Sequence, residues 1–329
     1  MTETKGISTS SRKKNKIIEL TTMEQKMLND KIKNSDKSLQ EIVDHCFGMQ
    51  FENNKKYVIC LQGASSSGKS TLAHNLYHLF QENKINCFLL ELDKYYKSLD
   101  PQKDNTNYDF DNPASLDWKA INKVVKDLHD DQNTLSVQEY SFITAISSGP
   151  VTILNPKPTV IIIEGIYSFN IFNKKVFNLP NFDCRNSIKK IENEFVDNSN
   201  KFPNFRILRL KLCICQSKGL KVRISRDVLL RGRVAENSIV QFNKFVWPAT
   251  KKWVYNKIFE TDVAIAHGNF NEKKMKLFVG AVTKFFIGKT VCFSGMGLQG
   301  DFKKESRIKC SGECVKNCNS SVLLTDDDD

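Results

Sequence analysis

The sequence has no apolar run long enough to span a bilayer, for which about 20 consecutive apolar residues are needed. Its start, Met1 to Lys16, is polar and basic and lacks the apolar core of a secretory signal. No membrane role and a cytoplasmic location are therefore expected. Ten cysteines in 329 residues do not make a disulfide framework, so reduced thiols in an intracellular protein are expected. Cys310, Cys314 and Cys318 recur every four residues, but no paired CxxC and no following histidine accompany them. A zinc site there needs a fourth ligand such as Cys292, and free thiols are the simpler reading. The net charge of +12 suits either a nucleic acid or a small substrate carrying several phosphates. No aromatic-and-basic RNA-binding signature is visible, which argues against nucleic acid.

What remains is an ordinary globular composition, 40% hydrophobic and 26% charged. Residues 1–55 read as a basic, partly disordered extension, with one or two short helices between Met23 and Phe47. An α/β alternation follows over 56–287. Strands are expected at Tyr57–Gln62, Cys87–Leu92, Thr159–Glu164, Ile207–Cys215 and Asp262–Ala266. Helices are expected at Ser70–Gln81, Leu116–Leu128, Lys218–Leu230, Ala235–Val254 and Glu272–Phe286. This order predicts an α/β, P-loop NTPase-type parallel sheet with helices on both faces. Val137–Phe142 and Val151–Leu154 read as a small β-hairpin away from the main sheet. The Asn- and Lys-rich stretch 170–204 reads as an insertion, and 288–329 as a mobile tail ending in four aspartates.

Gly63-Ala64-Ser65-Ser66-Ser67-Gly68-Lys69-Ser70, followed by Thr71, matches the phosphate-binding pattern GxxxxGK[ST] at every defined position. An apolar strand precedes it and a helical pattern follows. Backbone N–H groups and the positive helix end converge there on phosphate oxygens. Lys69 reaches the β- and γ-phosphates, and the Ser70 hydroxyl serves Mg²⁺. A nucleoside triphosphate, ATP or GTP, and Mg²⁺ are the expected ligands.

Two acids end strands beside this loop. Asp93 follows the second strand, where it can take a proton from an attacking hydroxyl; an aspartate there can equally cap a helix or turn the chain. Glu164 ends the third strand in the Walker-B manner, where it orders the water shell of a metal. Farther on, Arg223, Arg226, Arg231 and Arg233 crowd into about three helical turns. Such a cluster can close over a γ-phosphate, although a basic helix also makes a plain solvated face.

Together these pieces resemble the uridine–cytidine kinase family, in the uridine kinase and phosphoribulokinase branch of P-loop kinases, over roughly Lys56 to Gly268. The matching segments are Gly63–Thr71, Asp93-Lys94-Tyr95-Tyr96, Asp109-Phe110-Asp111-Asn112-Pro113, Tyr140-Ser141-Phe142, Ile163-Glu164-Gly165, the lid from Arg223 to Arg233, and Gln241 to Pro248. The resemblance implies phosphorylation of the 5′-hydroxyl of uridine or cytidine in pyrimidine salvage. Asp93 is then the general base. Asp111 holds the ribose hydroxyls, with Arg223 nearby. Tyr96, Phe110, Tyr140 and Gln241 line the nucleoside pocket. Arg226, Arg231 and Arg233 belong to the lid, and Glu164 with Ser70 to the magnesium. A homo-oligomer is also implied.

The departures from the family pattern fall on one half of the site. Where the family places a base-contacting histidine, this chain has Ala145, and Ser141 replaces the hairpin aspartate. The fourth strand lacks its usual acidic turn. These changes keep two other readings open: the same transfer to another nucleoside or a sugar phosphate, and a non-catalytic nucleotide-binding regulator. Intact Lys69, Ser70, Asp93 and Glu164 argue against the regulator.

Overall fold

A computed structural model describes residues 39–99, 108–172, 202–255, 261–268, 271–288 and 322–324. The core is a six-stranded, wholly parallel sheet in the order β2-β5-β1-β6-β7-β8. Its strands are β1 (Lys56–Gly63), β2 (Cys87–Glu91), β5 (Val160–Glu164), β6 (Phe205–Leu212), β7 (Val263–Ile265) and β8 (Val322–Leu324). Strand side chains alternate between faces, and here both faces are covered, so β1 and β5 read as continuous apolar runs rather than alternating ones. Tyr57, Ile59, Leu61, Val160 and Ile162 point into one core, with helix α1 (39–47), α2 (Lys69–Glu82) and α6 (Glu272–Ile287). Val58, Cys60, Ile161 and Ile163 point into the other, with α3 (Trp118–His129) and residues of a long helical path over 235–254. The expected α/β class with helices on both faces is thus observed.

Local signals explain where the helices begin. The Asp117 carboxylate accepts the Ala120 N–H at 3.0 Å and caps α3. Ile121, Val124, Val125 and Leu128 then repeat at helical spacing and are all buried. Each such side chain contributes about 1.5–3 kcal/mol on leaving water. Asn271 caps α6 in the same way, accepting the Lys274 N–H at 3.1 Å.

Three expectations need correction. The extension expected to end at residue 55 contributes to the core: Leu39, Val43 and Phe47 of α1 are buried. Phe47 packs its ring 5.0 Å from Phe285 and 5.4 Å from Tyr57. The tail likewise returns to the sheet, because Val322–Leu324 pairs in parallel with Val263–Ile265. Residues 235–254 form one helical path, as expected, but it widens into π-type turns at Phe242–Val246 and Thr250–Val254. Pro248 lies between them and has no N–H to donate to the ordinary i−4 partner.

The hairpin of β3 (Thr134–Ser141) and β4 (Ile146–Leu154) is a separate two-stranded sheet, longer than expected. Cys46, Cys60, Cys87 and Cys215 are free thiols. Cys213 is disulfide-bonded, a departure from the thiols expected throughout. The remaining tail cysteines, the segment Met1–Lys16 and most of the 170–204 insertion lie outside the described residues. The first residues of that insertion, Asn170 to Phe172, are buried. Among the described residues, no helix is long and apolar enough to cross a membrane.

Candidate active site

β1 delivers the chain into the phosphate loop at a point with no room for a side chain. A Cβ on Gly63 would lie 2.4 Å from the Leu212 carbonyl oxygen and 2.7 Å from Ser67 Oγ. Gly68 precedes α2 with φ 90°, the left-handed region that glycine adopts freely. No side chain caps α2 and its first turn carries no acid. The N–H groups at its start are therefore left for an anion. Lys69 is buried and donates from Nζ to the Ala64 carbonyl at 3.0 Å, which folds the ammonium back over the loop.

Beside the loop, β2 and β5 pair so that Glu91 stands opposite Glu164. Glu164 is 2% exposed. Its Oε1 accepts the Ser70 hydroxyl at 3.1 Å, whereas Oε2 has no protein partner among the described residues. Burial first, then the charge of Asp93, pushes its carboxyl up to about 8, against the pull of Lys69. A divalent cation reverses that penalty. An orphaned buried carboxylate oxygen next to a serine hydroxyl is an oxygen donor set that fits Mg²⁺. When bound, such an ion neutralises phosphate charge; the protein's part is to hold Ser70 and Glu164 ready for it.

One cavity of about 300 Å³ runs from the loop to a cluster of aromatic side chains. Ser65, Ser66, Gly68, Lys69, Ser70 and Thr71 line one end. Asp93 lies on a short 3₁₀ turn after β2 and also faces this cavity. Gly63, Ala64, Ser67 and Glu164 are not on its wall; they form the layer behind it. At the other end Tyr96, Phe110 and Tyr140 make an aromatic box. The Tyr96 centroid is 6.0 Å from that of Phe110 and 5.5 Å from that of Tyr140. The buried Tyr140 hydroxyl has no protein partner among the described residues.

Asp111 is also buried at this end. Burial pushes its carboxyl up to about 6, Arg223 pulls it down, and Asp109 and Asp93 oppose Arg223. Arg223 spans the two halves. It donates to Ser65 Oγ of the phosphate loop at 3.1 Å and to Gln241 Oε1 at 2.8 Å. Arg226, Arg231 and Arg233 border the same cavity from the end of α4 (Gln216–Arg231) and the turn after it.

Several lining residues were not singled out by sequence. Phe142 completes the aromatic box, 5.2 Å from Tyr140, and carries the Arg231 guanidinium 4.3 Å over its ring. Ile166, Val222 and Leu230 supply apolar wall. Asp227, fully buried, touches all four arginines. Phe142 and Asp227 both stand inside the motifs quoted above, but only the tertiary fold shows what surrounds them.

The model of the phosphoribulokinase / uridine kinase family matches residues 58–188. The chain is 25% identical over 230 residues to the uridine kinase of Schizosaccharomyces pombe, covering 69% of this chain and 44% of that protein. It is 27% identical over 236 residues to the uridine kinase of Ligilactobacillus salivarius, covering 71% of this chain and 96% of that one. It spans less than half the length of the first curated relatives that it matches. A solved structure titled a possible uridine kinase from Bacillus stearothermophilus is 17% identical, with a TM-score of 0.40 over 69% of this chain and 98% of its own. Over residues 58–188 the chain is thus similar to the phosphoribulokinase / uridine kinase family, and over about 70% of its length to curated uridine kinases.

Proposed function

We propose that this protein transfers the γ-phosphate of ATP, with Mg²⁺, to the 5′-hydroxyl of uridine or cytidine. The observation that carries this reading is the shared cavity in which the phosphate loop and the aromatic box face each other across Asp93. Phosphoryl transfer asks mainly for positioning and charge neutralisation. Lys69 and the lid arginines offer the positive charge, with Ser70 and Glu164 holding the metal. Asp93 accepts the proton of the attacking hydroxyl. Asp111 takes the ribose hydroxyls, and Tyr96, Phe110 and Tyr140 wall in a flat base, with Gln241 at its edge. Such a reaction belongs in the cytoplasm, where nucleosides and ATP meet. The deciding assay offers a panel of nucleosides with Mg·ATP and scores ADP release and monophosphate formed. Transfer to uridine or cytidine is expected; ATP turnover with none of the panel would refute the reading.

A second acceptor is favoured by one specific observation. Ala145 lines the cavity at the tip of the hairpin, with φ 56°, and its N–H donates to the Ser141 carbonyl at 2.8 Å. A missing base contact costs about 1–3 kcal/mol of selectivity, or roughly ten- to a hundred-fold. A high KM for uridine is therefore expected. Ala145→His should lower it, since Ala145 already carries a Cβ in this left-handed turn. The check is kcat/KM for uridine, cytidine, adenosine and 2′-deoxyuridine in both proteins. Tight uridine use by the wild type that the histidine leaves unchanged would show that another residue has taken over the role. Tight use of a non-pyrimidine would establish the second acceptor.

Asp111 makes the reading pH-dependent. Its carboxyl, pushed up to about 6 by burial, is neutral below that value and charged above it. Two ribose hydroxyls are better held by the charged form. The expected result is that kcat/KM for the nucleoside rises with pH through about 6. Asp111→Asn should remove that limb. A limb that survives in the variant would assign it to another group.

A further inference from the structure

We infer that Asp227 is a positioning residue that gathers the four lid arginines into one preassembled anion site. This rests on the phosphoryl-transfer reading of the cavity, but not on which acceptor the cavity takes. Asp227 sits in the fourth turn of α4 and is fully buried. Its two oxygens divide the arginines between them. Oδ1 accepts Arg226 Nε at 3.0 Å and Arg231 Nη1 at 3.3 Å, and lies 3.0 Å from Arg226 Nη2 in an ion pair. Oδ2 faces Arg223 Nε at 3.4 Å and Arg233 Nη1 at 3.6 Å, with the Ser238 hydroxyl at 3.5 Å. The Asp227 carbonyl also accepts the Arg233 N–H at 2.9 Å, which folds the chain beyond Gly232 back onto the same point.

The arginines lie on successive turns of α4 and just past its end. Arg223 and Arg226 lie within α4, Arg231 ends it, and Arg233 follows the left-handed Gly232. Without a shared anion they repel one another and turn to solvent. Burial and the neighbouring Arg226 already hold Arg231 down to about 10. One carboxylate against four guanidinium groups leaves three positive charges in excess, on the wall of the cavity that faces the phosphate loop. The arginines still have donors to offer. Arg223 and Arg233 also point toward Gln241, at 2.8 and 3.4 Å, so the cluster touches both halves of the site. Asp227 forms no part of the cavity wall itself; whatever it does for transfer it does through the arginines.

The test separates positioning from bulk support. Asp227→Asn keeps the shape and removes the charge. Added net positive charge helps a polyanion bind, while lost order harms transfer. The expected outcome is a fall in kcat of about 10–100-fold, with KM for ATP within about threefold. Asp227→Glu, which keeps the charge but shifts it by one methylene, should lose less, about threefold to tenfold. Each change is then repeated in an Arg226→Gln background. If Asp227 works through the arginines, its effect there shrinks well below its effect alone. Unchanged kcat, or losses that multiply in full, overturns the proposal. Should the asparagine variant fail to fold, the glutamate variant carries the cycle by itself.

Two further readouts keep the proposal distinct from the reaction assigned above. Calorimetric binding of inorganic tripolyphosphate needs no acceptor. In Asp227→Asn it should keep its affinity but lose favourable enthalpy, as guanidinium donors arrive unaligned; an unchanged enthalpy counts against positioning. If the wild type transfers to no nucleoside, ADP release to water serves as the rate in the same cycle.

Discussion

Lys69→Ala is expected to abolish phosphoryl transfer while leaving the fold intact. The ammonium is buried at the start of α2 and donates to the Ala64 carbonyl, 3.0 Å away. It is poised to turn toward an arriving phosphate. Removing a preorganised charge from developing negative charge costs at least about 10²–10³-fold in rate. Glu164 also loses the Lys69 charge that pulls its carboxyl down, so metal retention should weaken as well. The measurement is ADP release with Mg·ATP and nucleoside, alongside a circular-dichroism melt. Near-wild-type turnover would remove the phosphate loop from the mechanism.

Asp93→Asn should lower kcat by about 10²–10⁴-fold, the usual loss of a general base, with nucleoside KM moving about threefold or less. The amide keeps the shape and a hydrogen bond but cannot take a proton. On the proposed reading, Asp93 stands where such a base is needed. It follows β2 directly, faces the cavity, and its charge is felt by Glu164, Asp111 and Tyr96. A kcat within a few-fold of wild type would mean that the hydroxyl loses its proton without help from this residue.

The readable parts of this molecule were those written locally. A phosphate loop is eight contiguous residues between a strand and a helix, so Gly63 to Ser70 announces itself. The arginine lid is likewise one helix and its cap. The parts that escaped depend on distant segments. The 39–47 helix resembles a detachable arm until Phe285 and Phe286 are seen against Phe47. The β8 strand is three residues long and too short for any periodicity to show. The hairpin ran longer than its apolar pattern because Ser147, Ser148 and Gly149 interrupt the alternation inside β4, and a bulge shifts the register between Gln138 and Tyr140. Asp227 was visible as a letter of the lid motif, but its convergence with four guanidinium groups exists only once the chain after Gly232 folds back.

The aromatic box borrows Tyr140 and Phe142 from a hairpin that shares no strand with the six-stranded sheet. On the proposed reading, the transfer chemistry stands at the carboxyl ends of that sheet, while part of the choice of acceptor stands on a separate ribbon. Changes at Ser141 or Ala145 can therefore accumulate without disturbing Lys69, Glu164 or the register beneath them. Such a layout lets acceptor preference drift across generations at little risk to the reaction itself, and it makes the ribbon the place to graft or randomise when a new acceptor is wanted.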